Sequence, residues 1–215
     1  MELLLDRRKF LKDAGALTVS AAVMGASAPA MASAVVADNA RIRAVLFDSR
    51  YASCREFAAA LAREGALALD LQPDPAAVWL GPLREHLAQQ GGGVAGLAAN
   101  SDFVLAVAFS RNLGLSRRYE GSHDARGSHL LTHRLRGANA GEIASTLGRE
   151  DSSWPRDLAQ ALARLASADP TQRRETSIAH TSGAEDHPGF LQSWLLTPTL
   201  PGLTAPPRQQ RLARR

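Results

Sequence analysis

The sequence predicts an α/β fold: three layers, a mostly parallel sheet with helices on both faces, and an antiparallel edge hairpin. Three observations carry that expectation. Strand-like and helix-like runs alternate three times between residues 42 and 112, the order that builds a parallel sheet under helical crossovers. The helical runs open near Asp or Ser and close at Gly, as helix ends prefer. Two further strand-like runs follow with no helix between them. A connection that short gives an antiparallel pair, and mixed sheets often carry one at an edge.

The chain opens on Asp6-Arg7-Arg8-Lys9-Phe10-Leu11-Lys12, followed by a short, uncharged run from Ala14 to Met24. Small residues then recur at Ala28-Pro29-Ala30, Ala30-Met31-Ala32 and Ala32-Ser33-Ala34. A basic end, a short apolar middle and A-x-A sites make an export signal. The run is short of the roughly 20 apolar residues that a permanent span requires. Arg7, Arg8, Phe10 and Leu11 resemble the twin-arginine translocation signal, with Asp6 standing where that family usually has Ser or Thr. The resemblance covers about residues 1–34 and implies export through the twin-arginine translocase as a folded protein, to the periplasm or outside the cell, with no permanent membrane anchor. The competing reading is a basic N-terminus ahead of an ordinary buried helix.

Residues 35–197 are read as one α/β domain, large enough for a real core. Ile42–Phe47 reads as a buried strand ending at Asp48-Ser49, either of which can cap the helix of about 51–64 that places Phe57 and Leu61 on one face. Gly65 stops that helix, and 67–71 is a second strand. Asp74-Pro75 starts a short helical piece, Gly81-Pro82 breaks it, and 83–90 continues. After Gly91-Gly92-Gly93, 94–99 is a third strand, made of small residues that let a helix pack closely. Asn100-Ser101-Asp102 is expected to cap a helix over 103–112, which Gly114 ends. Strands over 115–120 and 128–135 flank a loop at 121–127. Residues 137–151 read as irregular or weakly helical, and 156–167 as a clear helix with Leu158, Leu162 and Leu165 on one side. Residues 169–189 read as loop, 190–196 as a strand returning to the sheet, and 198–215, with its prolines and arginines, as a disordered tail.

Formal charge is +4, and both lysines, Lys9 and Lys12, lie in the signal. The arginines elsewhere are spread among acids rather than clustered, so nucleic acid is not an expected partner. The single cysteine, Cys54, cannot form an internal disulfide and reads as a small buried apolar residue.

In an open parallel sheet, ligands bind beyond the carboxyl ends of the strands, where the strand order reverses. Those ends carry Asp48, Ser49, Arg50, Asp70, Asn100, Ser101 and Asp102, and the loop with His123 can join them. Each helix-preceding residue among them is also explained by capping. A Ser/His/Asp hydrolase can be drawn from Ser49 or Ser101 with His123 and Asp124 or Asp102, but no G-x-S-x-G elbow is present. The glycines at 91–96 precede a strand, which excludes a dinucleotide fingerprint. His123, His129 and His133 lack a standard zinc spacing, so no metal and no cofactor are assigned. Two readings remain: a non-catalytic exported domain that binds a small molecule or assists an exported partner protein, or a small periplasmic hydrolase or metal-dependent enzyme with its site at the strand ends.

Overall fold

A computed structural model describes residues 41–126, 130–149, 153–168, 174–181 and 189–199. The signal residues Arg7, Arg8, Phe10 and Leu11, His129, and residues 200–215 of the expected tail lie outside that set.

The expected alternation is present in the first half. Strand β1 (Ile42–Phe47) leads to helix α1 (Ala52–Arg63), β2 (Leu67–Asp70), the short helices α2 (Pro75–Leu80) and α3 (Pro82–Gln90), β3 (Gly93–Ala98) and α4 (Asn100–Ser110). Asp74 caps α2 by accepting from the amides of Ala76 and Ala77, and Gly81-Pro82 forces the break that separates α2 from α3. A 3-10 turn and Gly114, in the left-handed region at φ 65°, lead into β4 (Leu115–Arg126) and β5 (Leu130–Ala138). Then follow α5 (Ala140–Leu147), α6 (Trp154–Ser167), β6 (Arg174–Thr181) and β7 (Phe190–Pro198).

All seven strands form one sheet in the order β2-β1-β3-β7-β4-β5-β6. The pairs β1–β2 and β1–β3 are parallel. The pairs β3–β7, β7–β4, β4–β5 and β5–β6 are antiparallel. The expected mostly parallel sheet is therefore corrected: antiparallel ladders dominate, and the parallel part is confined to three strands. Of the antiparallel pairs only β4–β5 is a direct hairpin; β5 and β6 are joined through α5 and α6, and β7 returns at the end of the described chain to lie between β3 and β4. Nor is the β4–β5 hairpin the edge, because β6 lies outside it. Residues 174–181, Arg-Glu-Thr-Ser-Ile-Ala-His-Thr, read as loop because their few apolar side chains give no periodic signal.

Two hydrophobic clusters flank the sheet. One gathers Val45, Phe57, Leu61, Ile143, Leu158, Leu162 and Leu195, so α1, α5 and α6 contribute to it. The other gathers Ala44, Leu46, Trp79, Leu83, Ala106, Trp194 and Leu196, so α2, α3 and α4 contribute. Neighbouring residues of one strand fall in different clusters, Ala44 against Val45 and Trp194 against Leu195, as strand alternation requires. Val45 and Val94 are both fully buried, as expected of central strands. Gly96 has no side chain because Trp194 occupies the space: a Cβ there would lie 2.1 Å from the indole ring.

Candidate functional site

Because β1, β2 and β3 are parallel, their carboxyl ends open on one rim. Phe47 pairs with Asp70 and with Leu97, and the Leu71 amide donates to the Phe47 carbonyl at 2.8 Å. Asp48, just past β1, is fully buried. Arg50 grips it with a fork: Nε donates to Oδ1 at 2.9 Å and Nη2 to Oδ2 at 2.6 Å. The Arg50 amide adds a third bond to Oδ1 at 3.0 Å. The side-chain fork and the Asp48 charge push the guanidinium pKa further up, while the Arg50 side chain stays 58% exposed.

Asp70 accepts from the amides of Ser49 and Gln72 through Oδ1, at 3.2 and 3.1 Å. Burial alone would raise its pKa, but the bonds from Ser49 and Gln72 outweigh burial and hold it below the usual value. Asp102, in the first turn of α4, is 5% exposed. Among the described residues its Oδ2 finds no hydrogen-bond partner. Burial first, and then repulsion from Asp48, raise its pKa against the pull of Arg50. The rim thus brings together Asp48, Ser49, Arg50, Asp70 and Asp102. Asn100 and Ser101 adjoin it as exposed residues of the same helical turn.

The expected caps are corrected. The N-cap of α1 is Tyr51 and that of α4 is Ala99, and neither helix has a side-chain cap. Asp48 and Asp70 spend their oxygens on the turn that carries the chain from strand to helix. Asn100, Ser101 and Asp102 lie inside α4 rather than before it.

His123 is also corrected. Glycine, serine and aspartate around it suggested a loop, but residues 121–126 continue β4, paired by β5 throughout and by β7 as far as Asp124. Backbone ladders with two neighbours override local composition. Register still puts His123 near the rim level, since Ala98 pairs with Gln192 and Gln192 with Ser122. Its side chain, however, is fully buried. There its Nδ1 lies 2.6 Å from Nδ1 of His133, and its Nε2 lies 2.8 Å from Ser193 Oγ. Ser193 Oγ in turn lies 3.4 Å from the Tyr119 hydroxyl. The Ser193 hydroxyl donates to the Tyr119 oxygen, and with its one proton so committed it accepts from His123 Nε2. The Trp154 ring covers both imidazoles, with centroids 4.8 and 5.1 Å away.

Ser193 was missed because it sits inside an apolar strand with no elbow motif. The cross-strand pairing that joins it to His123 is invisible in a single sequence. Its triad-like order of hydroxyl, imidazole and orienting group uses His133 where a hydrolase has a carboxylate. Ser193, His123 and His133 are all fully buried, which gives a substrate no approach. Cys54 is fully buried as well, and burial pushes its thiol pKa up to about 12, so it is protonated at neutral pH. Among the described residues, no three His, Cys, Asp or Glu side chains are arranged to hold a metal ion, and no helix is long and apolar enough to cross a membrane.

No family model, curated protein or solved structure matches this chain.

Proposed function

We propose that the chain is the precursor of a protein exported by the twin-arginine route, whose mature domain binds a small molecule, or an exported partner protein, at the rim of its parallel strands. One observation carries the binding site: a buried carboxylate oxygen of Asp102 that has no hydrogen-bond partner among the described residues, beside the Asp48–Arg50 pair. A buried acceptor without a bond costs about 1–3 kcal/mol, and such a group invites a ligand that supplies the missing donor. The two core clusters support a three-layer arrangement around the sheet. Export rests on Arg7 and Arg8 ahead of the weakly apolar run. With both replaced by Lys, precursor should accumulate in the cytoplasm; undiminished mature protein in the periplasm would refute export. For the binding site, native mass spectrometry of the periplasmic protein should show a bound small molecule or partner that Asp102→Ala removes.

A second reading, a hydrolase using Ser193 with His123 and His133, is favoured by the 2.8 and 2.6 Å contacts alone. It needs access to a fully buried hydroxyl. Labelling by a fluorophosphonate, lost in Ser193→Ala, would establish it; an unlabelled native protein would remove it.

A further inference from the structure

The chemistry of the rim narrows the ligand, and this inference rests on the binding reading above. From β1 the chain proceeds through α1 to β2, and from β3 through α4 toward β4 on the other side of the strand order. The two helices contribute to different core clusters, so they flank the β1/β3 crevice from opposite faces. This is the switch point where open sheets bind ligands. Both helices direct their amino ends to it, and neither has a side-chain cap. Helix amino ends carry partial positive charge and favour an anionic group. Arg50 adds a full charge. It uses Nε and Nη2 on Asp48, which leaves Nη1 for another acceptor.

A bare anion does not fit, because Asp48 and Asp102 would repel it at the same place. A bare cation does not fit either, facing Arg50 and two helix amino ends. Asp102 Oδ2, buried and without a partner, accepts only from an N–H or O–H donor. In the first turn of α1, Ser53 Oγ is also buried with no hydrogen-bond partner among the described residues. The site therefore offers a positive region for one end of a molecule and acceptors for a donor at the other.

We infer that the crevice between β1 and β3 binds a small carboxylate that also carries a hydroxyl or amino donor, its carboxylate on Arg50 and the helix amino ends and its donor on Asp102 Oδ2. Titration calorimetry of the full chain tests this with glycerate, L-lactate and L-serine, against acetate, which has only the anion, and ethylamine, which has only the donor. At least one of the first three should bind roughly tenfold or more tightly than both controls. Arg50→Gln and Asp102→Asn should each weaken that binding by about 10–100-fold, the loss of one charge-assisted hydrogen bond. Equal binding of probes and controls, or undiminished binding in both variants, overturns the inference. A molecule co-purified with the chain separates the two levels. If it is lost in both variants yet lacks a carboxylate or a donor, the ligand class fails and the rim reading stands. If both variants retain it, the rim reading fails.

Discussion

His123 and His133 face each other across β4 and β5 with their Nδ1 atoms 2.6 Å apart. One nitrogen must donate and the other accept, so the pair holds a single proton between its rings. Phe at either position leaves the other Nδ1 without that bond, in a place from which both side chains exclude water. Each single change should destabilise by about 1–3 kcal/mol. The double change should cost less than the sum, with a coupling of about 0.5–3 kcal/mol. Urea unfolding of the four proteins measures it, and strict additivity would mean that the bond contributes nothing.

Asp102 sets a pH-dependent prediction. Its folded-state pKa is raised by burial and by Asp48, so the native state holds that proton more tightly than the unfolded chain does. The ionised carboxylate is therefore a burden that is full above the folded pKa and relieved as pH falls through it. Asp102→Asn should raise stability at pH 7, and the gain should shrink as pH falls through the raised folded pKa and be gone below about 4, where the unfolded carboxyl is protonated as well. Melting curves of both proteins from pH 3 to 8 check it; a gain independent of pH would contradict it.

Asp70 has the opposite sign. The bonds from Ser49 and Gln72 outweigh its burial and hold its folded pKa below the usual value. It adds stability above its unfolded pKa and loses it as pH falls through the folded value. Asp70→Asn should destabilise at pH 7, and the difference from the native protein should shrink on the same melting series as pH falls from the unfolded value through the lowered folded one.

Gly96→Ala would drive a methyl into the Trp194 indole, which lies 2.1 Å from the position of that Cβ. Both strands there are central, so neither can move away freely. Overpacking of this kind costs typically about 1–3 kcal/mol. Pairing the change with Trp194→Leu should recover part of the loss in chemical denaturation, whereas Gly114→Ala, which meets no atom within 4 Å, should show only the strain of its positive φ.

The two kinds of helix start separate by mutation. Asp74 caps α2 through two amides, and Asp74→Ala should cost about 1 kcal/mol. Ser49 caps nothing with its side chain, since α1 has no side-chain cap. Ser49→Ala should therefore leave the start of α1 unaffected and act instead through Asp70, whose carboxylate loses the bond from the Ser49 hydroxyl; its cost should shrink as pH falls through the Asp70 titration, whereas that of Asp74→Ala as a lost cap is read at pH 7.

The parts legible in sequence were those that local chemistry dictates. Asp74-Pro75, Gly81-Pro82 and Gly114 each act within a few residues of themselves, and the breaks fell where they stand. Leu158, Leu162 and Leu165 marked their helix by period. The rim residues Asp48, Arg50 and Asp102 were legible because strand ends in a parallel unit converge. What could not be read depends on distant partners. β6 is held by pairing with β5 rather than by its own composition, and His123 became a core residue because β7 and β5 enclose it. That Arg50 rather than a helix amide takes the Asp48 carboxylate is a matter of side-chain geometry, which no spacing rule contains.

The place of β7 has a consequence for the order of assembly. Among the described strands it is the last to be synthesised, yet it fills the gap between β3 and β4. Until residues 190–198 leave the ribosome, those two strands present unpaired edges to each other and to any other nascent chain. The parallel unit and the β4–β5–β6 antiparallel unit can each gather locally, but the sheet joins them only through a segment that begins at residue 190, 97 residues after β3 begins at residue 93. Contacts so distant in sequence form late. If the chain is exported as proposed, a translocase that accepts only finished domains would act as a checkpoint on this one insertion, and a ribosome stalled before residue 190 would leave a two-piece intermediate for chaperones to hold.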